Sequence, residues 1–398
     1  MGGELEELRD WQDALRVQFP IVVANPELVY LDSAATAQKP QAVLDAVHAY
    51  LTTTNANAGR GSYPWANRTT ALLAETRQRV ARFLGDQAFG HEDGSAVHFV
   101  SGTSEGLRTV ARDWLTEYLA DGDEIIVPFA DHQANLLPWL EAQRLLAARG
   151  ARIAVRALPY QAGSHDYDPA ALAELVTGRT AFVAATHVHH VYGGDMNVHR
   201  IRAAVGPRVP ICLDAAQGIG HLPLDVGRLD VDFVVFSGHK AMALPGSGAL
   251  WARNARGPRF EPAGWAGTPN TSGVVSLLAA LDWLEAAGVT RIERWTVALA
   301  ARLTESLRRL DQYEVLGCQR SLAADSPVQQ RHGIVTFRHH GIRSDDLGFV
   351  LASHGFLVRA DSLCQAGADE RNGSVRVSLH VHNTPEEVDR LVEVLRAM

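Results

Sequence analysis

A lysine just past an apolar strand is the first residue in this chain equipped for catalysis. Phe233-Val234-Val235-Phe236 reads as a buried strand, and Ser237-Gly238-His239-Lys240 follows it. An amine at the edge of a low-dielectric interior gives up its charge readily, and a neutral amine forms a Schiff base with an aldehyde. Ser237 and His239 can donate hydrogen bonds to a phosphate. Asp214 closes another apolar run, Ile211-Cys212-Leu213, one β-α unit earlier. Its carboxylate suits a protonated ring nitrogen. Ser101-Gly102-Thr103-Ser104-Glu105-Gly106 lies between a strand and a helix, where free N–H groups and hydroxyls favour a phosphate. His132, in Asp131-His132-Gln133-Ala134-Asn135, can stack on a ring and move protons. An imine-forming lysine, a carboxylate for a pyridine nitrogen and a phosphate loop are the needs of pyridoxal 5′-phosphate (PLP), whose protonated ring is an electron sink. Each residue alone also fits an ordinary role: a lysine at a strand end, an aspartate capping a turn, a loop capping a helix, a surface histidine.

These side chains meet only if a fold gathers them. Short apolar runs at 96–100, 124–127, 153–158, 181–186, 211–213 and 233–236 alternate with helical stretches such as 107–119, 136–148, 169–176 and 198–204. Repeated β-α units imply an α/β fold with a mostly parallel sheet covered on both faces. Such sheets bind ligands beyond the carboxyl ends of their strands, where most of these motifs fall. After Trp251 the pattern changes to a long helical region, 273–310, then strands at 333–337, 356–359 and 374–379, and a last helix from Pro385 with Thr384 and Glu387 as a capping box. The expected division is a large cofactor-binding domain, 30–255, and a smaller α+β domain from 1–29 and 256–398.

Composition narrows the partners. A net charge of −8 without a dense Lys/Arg run argues against a nucleic-acid surface. No apolar run reaches membrane-spanning length, and the acidic start lacks a signal peptide's pattern. Three cysteines, Cys212, Cys318 and Cys364, are no disulfide framework, and a reducing cytoplasm is the simplest setting.

Taken in order, the phosphate loop, His132, Asp214 and Ser-Gly-His-Lys resemble the class V aminotransferase family of fold-type I PLP enzymes, most of all its group II cysteine desulfurases and selenocysteine lyases. Tyr30-Leu31-Asp32-Ser33-Ala34-Ala35-Thr36, Asn55-Ala56-Asn57, Thr186-His187-Val188, Ala266-Gly267-Thr268-Pro269-Asn270-Thr271 and His382-Asn383-Thr384-Pro385 extend the likeness over nearly the whole chain. The resemblance implies that Lys240 is the Schiff-base lysine and that Asp214 pairs with the pyridine nitrogen. It puts Gln217 on the ring hydroxyl and His132 against the ring. Thr103, Ser104, Ser237 and His239 hold the phosphate. Thr268 reaches the phosphate of a neighbouring subunit, which implies a homodimer. Arg376 grips the carboxylate of a small amino-acid substrate, with Ala35 and His190 on the substrate side.

Cys364 decides the chemistry. The family's desulfurases carry Arg, four residues, then Cys, and Arg359 and Cys364 keep that spacing. By resemblance the cysteine takes the substrate sulfur as a persulfide, alanine leaves, and a sulfur-acceptor protein follows. Polar neighbours Asp361, Ser362 and Gln365 argue against deep burial, whereas Cys212 in its apolar strand reads as core. Several departures lie on the substrate side. Ser362 and Leu363 stand where two histidines are usual, His190 where an asparagine is usual, and Gln133 where a histidine is usual. Gly59-Arg60-Gly61 replaces His-Arg-Gly, and the segment after the lysine is short. They leave open another class V reaction, a C–S lyase, an aminotransferase or an epimerase, in which Cys364 is not the nucleophile. His187, His189 and His190 raise the question of a metal, but strand alternation would turn His190 to the opposite face, and no metal is expected.

Overall fold

The computed structural model describes residues 2–59, 61–91, 94–161, 166–254, 258–262, 267–317, 331–361, 363–364 and 373–398. Arg60, Ala266, Cys318, Ser362 and Gln365 lie outside the described residues. Seven strands form the main sheet: β1 (Ser95–Val100), β2 (Glu124–Val127), β3 (Ala154–Ala157), β4 (Thr180–Thr186), β5 (Ile211–Asp214), β6 (Phe233–Ser237) and β7 (Gly248–Arg253). Their spatial order is β1-β7-β6-β5-β4-β2-β3. The pairs from β6 to β3 are parallel. β7 runs antiparallel to both β1 and β6, so β1 points the same way as β6. β7 escapes the sequence pattern because its start, Gly248-Ala249, lies amid the small residues of a turn.

The strands are apolar on both sides because both faces are covered. Val183, Ala185, Leu213, Val234 and Phe236 join one core, and Phe182, Ala184, Cys212, Phe233 and Val235 the other. This is why they read as continuous runs. The helices that matter to the site are α1 (Gln41–Thr53), α2 (Pro64–Phe83), α3 (Thr103–Val110), α4 (Thr271–Ala287), α5 (Val289–Leu307), α6 (Ser344–Ser353) and α7 (Pro385–Arg396).

The long helical region is two helices, not one. Gly288, at φ 88°, breaks it, and α4 and α5 meet at a 75° bend. A side chain would be strained in that conformation, so the glycine permits the break. α4 packs against α1 and α2 and puts Leu277, Leu281 and Leu284 into the large core. α5 puts Trp295, Leu299 and Leu303 into a second core with Leu5, Leu8 and Val29. The expected boundary at residue 255 therefore falls ahead of a helix that packs with the large layer. No single helix among the described residues is long and apolar enough to cross a membrane.

The second core lies on a four-stranded antiparallel sheet: β8 (Tyr313–Leu316), β9 (Ile334–His339), β10 (Arg359–Asp361) and β11 (Ser374–Ser378), in the order β10-β11-β9-β8. α7 begins with the expected capping box, Thr384 and Glu387 satisfying each other's backbone N–H groups.

Candidate active site

Five strands, β1, β2, β4, β5 and β6, end on one side of the main sheet, and each delivers a loop to one cavity of about 270 Å³. β1 leads to Thr103 and Ser104, β2 to His132, β4 to His190, β5 to Asp214 and Gln217, and β6 to Ser237, His239 and Lys240. Ala35 enters from the N-terminal segment, and the four-stranded sheet adds Arg359 from β10, Arg376 from β11 and Cys364 just after β10. Of the residues given a catalytic, cofactor or substrate role by the sequence, Thr268 is the one that does not line this cavity, and it is exposed.

The Thr103–Ser237 end of the cavity is tightly bonded. Ser237 Oγ accepts the Thr103 N–H at 2.8 Å and lies 2.8 Å from Thr103 Oγ1. Gly106, on α3, lies so close to β6 that an added Cβ would stand 2.3 Å from Val235 Cγ1. The helix N-terminus is thus pressed against the end of the strand that carries Lys240.

Two groups at the centre are held away from their ordinary ionisation. Burial pulls Lys240 down to about 8, opposed by the Asp214 charge. Burial pushes Asp214 up to about 6, opposed by the Ala216 N–H at 2.9 Å and by Lys240. At neutral pH the carboxylate is mostly ionised, and the amine, still mostly protonated, gives up its proton far more readily than a free lysine does. Gln217 Nε2 donates to the Ala34 carbonyl at 2.9 Å, which fixes its amide in the cavity wall.

His132 lies in a loop anchored by its neighbour. Asp131 is fully buried and accepts from Tyr160 at 2.8 Å and Tyr167 at 2.5 Å, with His189 Nε2 at 3.3 Å. His132 Nδ1 accepts the Ala134 N–H at 3.1 Å, so the neutral ring carries its hydrogen on Nε2. Burial, with Lys240 and Arg376 nearby, holds its pKa down at about 4.

On the substrate side, Arg376 is 4 % exposed. One terminal nitrogen donates to the His190 carbonyl and the other to Asp32, both at 3.0 Å, while buried Nε has no hydrogen-bond partner among the described residues. His190 Nε2 bonds the Leu363 carbonyl at 3.0 Å. β4 ends at Thr186, so strand alternation does not govern the histidines after it. The backbone turns instead, with His189 Nδ1 accepting from Val191 and Tyr192, and the His189 and His190 rings stack at 5.1 Å. Cys364 is exposed and Cys212 is buried in β5.

Sequence reasoning passed over Asp32, Asp131 and Leu363 as working parts. The signal for the first two was their place inside quoted motifs beside small or catalytic residues. Leu363 gave none, because its part depends on backbone conformation.

A parallel sheet with a lysine, a carboxylate and a hydroxyl-rich helix end at its strand ends defines a fold-type I PLP enzyme. The aminotransferase class-V family model matches residues 29–265 and 264–391, and the chain belongs to that family. It is 33 % identical to a probable cysteine desulfurase of Vibrio cholerae, over 96 % of this chain and 97 % of that one. It is 31 % identical to cysteine desulfurase CsdA of Escherichia coli, over 96 % of each. Among solved structures, an apo cysteine desulfurase from Thermococcus onnurineus superposes with a TM-score of 0.83 at 27 % identity, covering 97 % of each chain. Escherichia coli CsdA gives 0.80 at 30 %, covering 97 % of this chain and 98 % of that one. The family works with PLP. The residues fit that group: a lysine whose burial lowers its hold on its proton, a carboxylate in the same cavity, and hydroxyls with N–H groups at a helix N-terminus.

Proposed function

We propose that the protein is a PLP-dependent cysteine desulfurase, which transfers the sulfur of L-cysteine to Cys364 and releases alanine. One observation carries the reading: the exposed thiol of Cys364 shares a cavity with Lys240 and Arg376. PLP, when bound, supplies an electron sink for negative charge on the substrate. Lys240 would hold it, with Asp214 on the ring nitrogen, Gln217 on the ring hydroxyl and His132 against the ring. Thr103, Ser104, Ser237 and His239 would take the phosphate.

The chain's own groups do the remaining work. Arg376 orients the substrate carboxylate, beside His190 and Ala35. Lys240, drawn down to about 8, is poised to take a proton from the substrate Cα and return it. His132 carries a hydrogen on Nε2 and can pass it on. The Cys364 thiolate attacks the substrate sulfur, so an S–S bond forms as the C–S bond breaks. The C–S bonding pair stays with the carbon fragment, which takes up a proton and leaves as alanine. Cys364 keeps the sulfur as a persulfide until an acceptor thiol draws it off.

The same reading extends to the assembly and its setting. A homodimer would let the exposed Thr268 reach the phosphate of the neighbouring site. A reducing cytoplasm would keep the Cys364 thiol free. L-selenocysteine is a second substrate to try.

The test is Cys364→Ala with L-cysteine, following alanine and enzyme-bound persulfide. Alanine release is expected to fall by about 100-fold or more while the cofactor's absorbance is kept. Unchanged turnover would remove Cys364 as the nucleophile and the desulfurase reading with it.

A further inference from the structure

Leu363 and Cys364 are consecutive residues in the left-handed region, at φ 57° and 56°. Neither is a glycine, and L side chains are disfavoured there, so the surroundings must hold the backbone. Leu363 supplies the hold. Its side chain is 3 % exposed and packs with Val191 and Tyr192. Its N–H donates to Asp361 Oδ1 at 2.6 Å. Its carbonyl takes the bond from His190 Nε2 at 3.0 Å.

The His190 bond is built to last. A carbonyl only accepts, so Nε2 carries the hydrogen and Nδ1 the lone pair. The ring is fully buried, which favours this neutral form. It stacks on His189 and meets the His132 ring at 78° and 5.1 Å. Arg376 bonds its carbonyl, and His189 behind it faces Asp131. The next link along, from the Gln133 N–H to the Cys364 carbonyl, is long at 3.4 Å. His190 and Leu363 are both departures from the family's sequence pattern, and they touch each other.

We infer that His190 is a positioning residue: its Nε2–H on the Leu363 carbonyl, with the Leu363 side chain packed beside it, latches Leu363 and Cys364 at the cavity in their left-handed conformation. The effect on turnover rests on the desulfurase reading; the hold on the loop does not. Presenting the thiol from a fixed backbone shortens the search for the substrate sulfur.

The test uses the PLP-loaded enzyme and three variants. His190→Phe keeps a ring and removes the donor. His190→Gln restores a donor of similar reach. Leu363→Ala removes the apolar anchor. The readouts are the iodoacetamide alkylation rate at Cys364, resolved by peptide mass spectrometry, and amide exchange over residues 357–364. In His190→Phe both are expected to speed up by about threefold or more, with His190→Gln returning toward the parent. In the same variant kcat for alanine release falls about fivefold or more while KM stays within about twofold. Parent-like alkylation and exchange in His190→Phe would overturn the latch. Should that variant not fold, parent-like rates in Leu363→Ala would overturn it equally. Faster alkylation and exchange with unchanged kcat would uphold the latch and remove Cys364 from turnover, which separates this inference from the reading it deepens.

Discussion

In the proposed reaction Arg376 takes the substrate carboxylate with another carboxylate, Asp32, already on its flank, and Asp32→Asn tests that competition. Asp32 Oδ1 lies 3.0 Å from a terminal guanidinium nitrogen, and its side chain is 19 % exposed. Asparagine keeps the shape and an acceptor oxygen but removes the charge. Two effects follow, with opposite signs in different assays. In the free protein a buried cation loses its counter-charge. Breaking a fully buried pair costs about 3–5 kcal/mol, and the remaining acceptor and partial exposure reduce this to about 2 kcal/mol. In the substrate complex, two carboxylates on one guanidinium repel each other by about 3 kcal/mol at ~6 Å and an effective dielectric of about 20. Solvent near Asp32 takes part of that, leaving about 1–2 kcal/mol, or roughly a 5- to 30-fold lower KM. Alanine release against L-cysteine concentration measures the second effect. Thermal melting with and without L-alanine measures the first, and the variant should gain more from the ligand than the parent does. A folded variant with an unchanged or higher KM would refute Arg376 as the partner of the substrate carboxylate.

Two further outcomes follow from the same geometry. Lys240 in the cofactor-free protein has its pKa drawn from 10.5 to about 8 by burial. Between those values the unfolded chain binds more protons than the folded one, so stability rises with pH across that window. Urea unfolding of the parent and Lys240→Met should therefore diverge most below pH 8, by on the order of 3 kcal/mol, and converge toward pH 10.5; a constant gap would contradict the shift. Gly106→Ala inserts a methyl 2.3 Å from Val235 Cγ1, so α3 must lift from β6. A loss of about 1–3 kcal/mol and weaker PLP retention are expected by melting and equilibrium dialysis, and parent-like retention would show that α3 can shift freely.

The cofactor half of the site was legible in the sequence because each of its residues follows an apolar strand. Lys240, Asp214, His132 and Thr103 occupy strand ends that point one way, and the α/β pattern alone predicts that they converge. Their order along the chain then identifies the cofactor more firmly than any one of them. The substrate half was less legible for physical reasons. His190 sits in a loop past the end of β4, where period-two alternation no longer applies. The engagement of Arg376 with Asp32 joins residues 344 positions apart, and no local pattern encodes such a pair. Leu363 acts through a backbone angle that its residue type disfavours. The helical region read over 273–310 is helical, but its division at Gly288 was not legible, because one glycine inside a helical pattern is a bend here and is tolerated elsewhere.

The order of synthesis gives the Thr103–Ser237 contact a second significance. Thr103 and Ser237, which bond each other there, are 134 residues apart. At ribosomal speeds of about 5–20 residues per second, roughly 7–27 s separate the emergence of the two. β1 waits longer still, because among the described strands its partner in the sheet is β7. For that interval the nascent chain carries an unpaired strand next to a half-made anion site. Growth conditions that slow translation should lengthen this exposure, and the edge of β1 is where a stalled or truncated chain would first aggregate.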